Sequence, residues 1–203
     1  MIRYMARILG LKKVHVVLLE RFLNTKMQPR NTNIKYVHIS REKLYFLLPE
    51  LIENGLIDEF ILLISKEYYE KRRKKLLDEL NERLNNNDEC VMAYLGKELI
   101  GFCWLCFQEN KYEPDIENCI YIKKDTSMIY NLKILKLFRG NGFASELILE
   151  CLSYLNYKNY SRTLAMVAVD NIPSLNSFLK TGFKVKKSIN LYRLFFLKKY
   201  SEH

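Results

Sequence analysis

Apolar residues change their spacing along the chain, and each change marks an element. Leu11, Val14, Leu18 and Phe22 recur at helical intervals while Val14-His15-Val16 alternates like a strand, so this stretch fits either. Asn33 to Ser40 alternates as a half-buried strand does. Leu44, Phe46, Leu47, Leu51 and Ile52 predict a helix ending near Gly55 despite Pro49; a longer helix runs from about Asp58 to Leu84. Glu89 to Tyr94 and Leu99 to Phe107 read as a hairpin bent at Leu95-Gly96-Lys97-Glu98, and Gln108 to Glu117 as a polar loop. Thr126 to Leu137 predicts a strand, Ser145 to Tyr157 a helix, and the nearly all-apolar Thr163 to Val169 a strand buried on both faces. Asp170 and Asn171 can cap a short helix with Pro173 in its first turn and Gly182 at its close. Phe183 to Ile189 and Leu191 to Lys199 make two last strands around Asn190. The order sets a strand-helix-strand unit inside a mostly antiparallel sheet of about seven strands flanked by helices, an α+β architecture.

Composition narrows the class. A chain of 203 residues, 49% of them hydrophobic, can bury one good core, so residues 33–199 are read as a single domain and residues 1–32 as a basic N-terminal extension. Five scattered cysteines, an odd number, read as reduced core residues of a cytoplasmic protein. Cys103 and Cys106 form C-x-x-C, but on a strand they point to opposite faces, so no metal is expected. No apolar run approaches the ~20 residues of a transmembrane helix. The net charge of +10 attracts polyanions, whether nucleic acid, anionic lipid or a cofactor with several phosphates.

The chemistry concentrates at Arg139-Gly140-Asn141-Gly142-Phe143-Ala144, where an apolar strand meets a helix through a glycine-spaced turn. Glycines allow positive φ and close approach of the backbone to a ligand. Amides at a helix N-terminus then face an anion, above all a phosphate or pyrophosphate, and Arg139 adds paired hydrogen bonds to its oxygens.

These residues resemble the acyl-CoA-binding motif of the GNAT acetyltransferases, Arg/Gln-x-x-Gly-x-Gly/Ala. A second block agrees: Asn171 after the buried strand, Ser174 three residues on, Phe178 seven on, then Gly182-Phe183. The resemblance implies the acyl-CoA N-acyltransferase-like fold and an N-acetyltransferase that uses acetyl-CoA, or another acyl-CoA, and no metal. The acceptor would be a primary amine on a small molecule or protein, attacking directly in a ternary complex. It further implies that Arg139 to Ala144 hold the pyrophosphate, and that amides near Ile134, Leu135 and Leu137 bond the pantetheine arm. That arm would lie where the strand ending at Leu137 splays from the strand ending at Val169, with Asn171 bonding the arm or the leaving-sulfur region.

Two departures bear on catalysis. The family's frequent Tyr acid falls at Phe178, which cannot donate a proton, leaving water, Ser174 or Ser177 in that role or no acid at all. The central-strand carboxylate is also missing; Tyr130 is the nearest substitute, with Glu109 and Asp115 as rivals. A non-catalytic acyl-CoA-binding module is therefore one alternative; the basic residues of 1–30 and the run Lys71 to Lys75 suggest another, a basic RNA- or ribosome-associated protein. The last strand offers an edge through which a homodimer could pair.

Overall fold

A computed structural model describes residues 11–23, 31, 33–39, 78, 79, 81–83, 85–113, 116–194 and 197–202, the side chains of 11, 12, 193, 194, 197 and 198 excepted. Eight strands form one sheet: β1 (Leu11–Phe22), β2 (Ile34–Ile39), β3 (Glu89–Leu95), β4 (Glu98–Cys106), β7 (Thr126–Ile134), β8 (Arg162–Ala168), β9 (Lys184–Leu194) and β10 (Leu197–Glu202). Their order across it is β10-β9-β1-β8-β7-β4-β3-β2. Of these neighbours only β7 and β8 run parallel. Two helices follow from the sequence pattern, α1 (Phe143–Tyr157) and α2 (Ile172–Lys180). The mixed, mostly antiparallel α+β sheet is the expected class. The helix predicted over 41–55 lies outside the described residues, as does most of that over 58–84, of which residues 78, 79 and 81–83 are described and helical.

Three expectations need correction. Leu11–Phe22, assigned to an extension outside the domain, is a central strand paired antiparallel with β8 on one side and β9 on the other. Val16 and Leu18 bury one face against Leu164 and Ile189; Val17 and Leu19 bury the other in the main core. Four consecutive apolar residues signal burial on both faces. The predicted loop 108–117 contains half of a second, two-stranded sheet, β5 (Asn110–Glu113) with β6 (Asn118–Tyr121). Its buried Ile120, with Ile116 and Ile122, closes over Cys106, Met128 and Leu164. Asn190 is not a turn: it pairs with His15 and Ser201 inside β9.

α1 lays Leu147, Ile148, Cys151, Leu152 and Leu155 on β3, β4 and β7, which fixes the helix start where β7 ends. Cys103 faces this core and Cys106 the opposite one, as strand alternation requires. His38 of β2 bonds Glu150 of α1 at 2.7 Å and packs on the Tyr154 ring. Among the described residues no helix is long and apolar enough to cross a membrane.

Candidate active site

The site begins as a gap in the sheet. β7 and β8 pair only from Thr126 with Arg162 to Ile129 with Ala165. Beyond that β7 continues to Ile134, roughly 17 Å at 3.3 Å per residue. β8 meanwhile stays with β1, and the Val169 amide bonds the His15 carbonyl. The cause of the parting lies in β7: Asn131 adopts φ 47° and the register with β4 slips between Phe102 and Trp104. Such a bulge bends its strand and frees backbone groups.

Register then tells which amides face the gap. Gly101 and Ile134 are opposed, and the Leu135 amide donates to the Ile100 carbonyl at 3.0 Å. Those flanking bonds identify Gly101 and Ile134 as a non-hydrogen-bonded antiparallel pair, so the Ile134 N–H and C=O point away from β4, toward β8. The expectation for Leu135 is corrected accordingly: its amide is spent on β4 and cannot reach a ligand. Arg139 Nε donates to the Ile134 carbonyl at 3.0 Å, tying the turn to the end of the strand.

The turn itself is open. Gly140 (φ 83°) and Gly142 (φ 79°) are left-handed, with empty space where a Cβ would stand. Gly142 is the N-cap of α1 and supplies no side-chain cap; the first helical bonds are those of Ser145 and Glu146 to its carbonyl. The amides of Gly140, Asn141, Phe143 and Ala144 have no acceptor among the described residues, so a cradle of donors stands at the positive end of a 15-residue helix. Asn141 Nδ2 reaches the Phe138 and Arg139 carbonyls at 3.3 and 3.4 Å and shapes the loop. Leu137 lies at the mouth, 85% exposed.

The second block lands differently from expectation. Asn171 Oδ1 accepts from the Ser174 amide at 3.4 Å as the cap of α2, so only its Nδ2 is left for a ligand. Ser177 Oγ is committed to the Pro173 carbonyl at 2.9 Å; Ser174 is half-buried in the first turn. Phe178 is buried in the core, edge-on to Phe183.

Across the bulge, on the face away from α1, the Tyr130 hydroxyl donates to Asp88, a carboxylate only 1% exposed. Lys111 Nζ stands 3.6 Å from the same Asp88 oxygen and 4.0 Å from the Tyr130 ring centre, and the Arg83 guanidinium lies over Trp104 and Tyr130. Burial raises the Asp88 carboxyl above its usual range, opposed by its bonds to Tyr130 and Lys111. Burial, then the Asp88 charge, pushes the Tyr130 phenol far up. Sequence reading missed Asp88 because it stands 42 positions from Tyr130, at what looked like a plain helix end. Glu109 is exposed and lines a cavity at the start of β7, and Asp115 lies outside the described residues. That cavity, of about 390 Å³ and lined also by Phe107, Thr126, Lys158 and Tyr160, sits at the opposite end of β7 from the turn and belongs to neither group. No cluster of three metal-ligating side chains occurs among the described residues.

Comparison with known proteins gives the family and the fold. The profile of the Acetyltransferase (GNAT) family matches residues 57–183, more than half of the chain. No curated protein matches it. Among solved structures, a tandem GNAT protein from the clavulanic acid biosynthesis pathway superposes with TM-score 0.61 at 11% identity, over 98% of this chain and 57% of that one. A GCN5-related N-acetyltransferase from Sphaerobacter thermophilus gives 0.59 at 13% identity, over 98% and 56%. A protein of unknown function from Staphylococcus epidermidis gives 0.58 at 10%, over 95% and 66%. The chain thus spans between about half and two thirds of these relatives.

Proposed function

The chain belongs to the GNAT family of acetyltransferases, and from that premise we propose that it transfers an acetyl group from acetyl-CoA to a primary amine in a ternary complex. The observation that carries this reading is the gap beyond Ile129 and Ala165, with an uncapped glycine turn at its mouth and the Ile134 amide directed into it. Acetyl-CoA supplies an activated thioester. Arg139 and the amides of Gly140 to Ala144 hold its pyrophosphate; the amides of Ile134 and Leu137 and Nδ2 of Asn171 hold the pantetheine arm.

The residues on the other face of the bulge handle the proton. As the amine attacks, its proton passes to Tyr130 Oη while the Tyr130 proton passes to Asp88. Phe178 contributes packing only, so the leaving thiolate takes its proton from water or from Ser174 Oγ. Such general-base assistance contributes about 10² to 10⁴ in rate, and Tyr130→Phe should lower turnover by that order with acetyl-CoA affinity unchanged.

Calorimetric titration with acetyl-CoA tests the site, beside adenosine 3′,5′-bisphosphate and NADH. Saturable 1:1 binding tighter than either, lost in Arg139→Glu, supports it; unaltered affinity in that variant removes the assignment. The buried Phe178 at the usual acid position favours a second reading, an acyl-CoA-binding module without catalysis. It requires the same binding with no CoA release from any amine in a panel.

A further inference from the structure

The net charge of +10 is gathered in two segments of the sequence. Residues 1–30 carry seven basic residues against Glu20, residues 184–203 carry six against Glu202, and residues 31–183 hold 20 basic and 21 acidic. The described parts of the two terminal segments are adjacent strands: β1 and β9 pair, and β10 adds beyond β9 as the sheet's last strand. Far apart in sequence, the described strands of the two segments become neighbours, and Lys13 and Lys199 fall on the same face of them.

Two rows of side chains cross it. Lys13, Tyr192 and Lys199 stand opposite one another in register, and two residues along each strand His15, Asn190 and Ser201 form the next row. Directly opposed residues, and residues two apart on one strand, project from the same face. Lys13, His15 and Lys199 are exposed, and Tyr192 is 37% exposed with Lys13 Nζ 5.4 Å from its ring centre. Lys186 and Lys187 are paired with Glu20 and Glu202, but among the described residues neither Lys13 nor Lys199 has a carboxylate partner.

We propose that this face of β1, β9 and β10 binds single-stranded RNA, separately from the acetyl-transfer site. A tyrosine ring beside two ammonium groups that lack a carboxylate partner among the described residues offers one base a stacking surface and two phosphates a counter-charge. The neighbouring row offers hydrogen-bonding groups of the kind that engage a ribose 2′-hydroxyl: Asn190, and His15 with Ser188, bonded at 2.7 Å. A duplex would hide its bases from Tyr192.

The test is fluorescence anisotropy of a labelled 12-nucleotide oligouridylate with the full chain at 50 and 200 mM KCl. Saturable binding that weakens about sevenfold over that range is expected, since each of the two phosphate contacts to a single strand contributes a slope of about 0.7. Lys13→Glu with Lys199→Glu should abolish it. Tyr192→Ala should weaken it about fivefold or more while Tyr192→Phe keeps it. All variants should melt and bind acetyl-CoA as the parent does, which separates this surface from the reading of the active site. Absence of binding at 50 mM KCl overturns the proposal, as does binding changed less than twofold by these substitutions. Equal affinity for oligodeoxyuridylate, or a requirement for the same lysines on phosphatidylserine vesicles without RNA binding, also overturns it.

Discussion

Gly101 stands opposite Ile134 across β4 and β7, so close that a Cβ on Gly101 would lie 2.6 Å from both the Lys133 carbonyl oxygen and Ile134 Cδ1. The first of these is backbone and cannot swing aside. The close pair holds Ile134 in the orientation that sends its amide into the gap, so the absence of a side chain on one strand shapes the site on the next. Gly101→Ala should therefore shift β7, costing about 1–3 kcal/mol of stability. It should also weaken acetyl-CoA binding about tenfold or more, read by urea unfolding and calorimetry. Lost stability with intact affinity would mean that β7 moves without disturbing the gap.

The Asp88 carboxyl is raised by burial, and the groups facing it are Tyr130 of β7, Lys111 of β5 and Cys106 of β4. An acid with a raised pKa binds more protons folded than unfolded, so stability falls as pH rises from the ordinary carboxyl value, about 3.9, toward the raised one. Asp88→Asn lacks that decline. The stability difference between parent and variant, measured in urea from pH 4 to 7, should move in the variant's favour with rising pH. Other carboxylates cancel in that difference. A gap independent of pH would show that Asp88 titrates normally.

Phe178 is 3% exposed and its ring meets Phe183 at 5.0 Å, nearly perpendicular. A hydroxyl added there enters the core without a partner, which costs about 1–3 kcal/mol. Phe178→Tyr should lower the urea midpoint and leave CoA release unchanged. Unchanged stability with a tenfold rise in CoA release would place the new hydroxyl in the gap, making the lack of an acid the site's only deficit.

What the sequence discloses is local. The turn at Arg139 to Ala144 is legible because its glycines, its apolar strand and its amphipathic helix adjoin. The same holds for Asn171 as a cap. The fate of the Leu135 amide is not legible, since it depends on the register of β7 against β4, which a bulge at Asn131 resets. Asp88 is hidden for a related reason: an isolated carboxylate after three asparagines looks solvated until the fold brings Tyr130 and Lys111 over it. Nor could Phe178 be placed, because its helical position fits either the core or the gap.

The strand Leu11–Phe22 supplies the last prediction. Its position between β8 and β9 means that the C-terminal hairpin of β9 and β10 joins the sheet only through it. Val16, Val17, Leu18 and Leu19 are each 8% exposed or less. At about 1.5–3 kcal/mol per buried side chain they contribute on the order of 6–12 kcal/mol, comparable with the whole stability of a domain, before counting the two ladders of backbone bonds. Deleting residues 1–23 should therefore abolish cooperative unfolding and acetyl-CoA binding together, although every residue assigned to the cofactor is retained. A truncated chain that still unfolds cooperatively and binds acetyl-CoA would restore the reading of residues 1–32 as an extension, and with it a sheet that closes without β1.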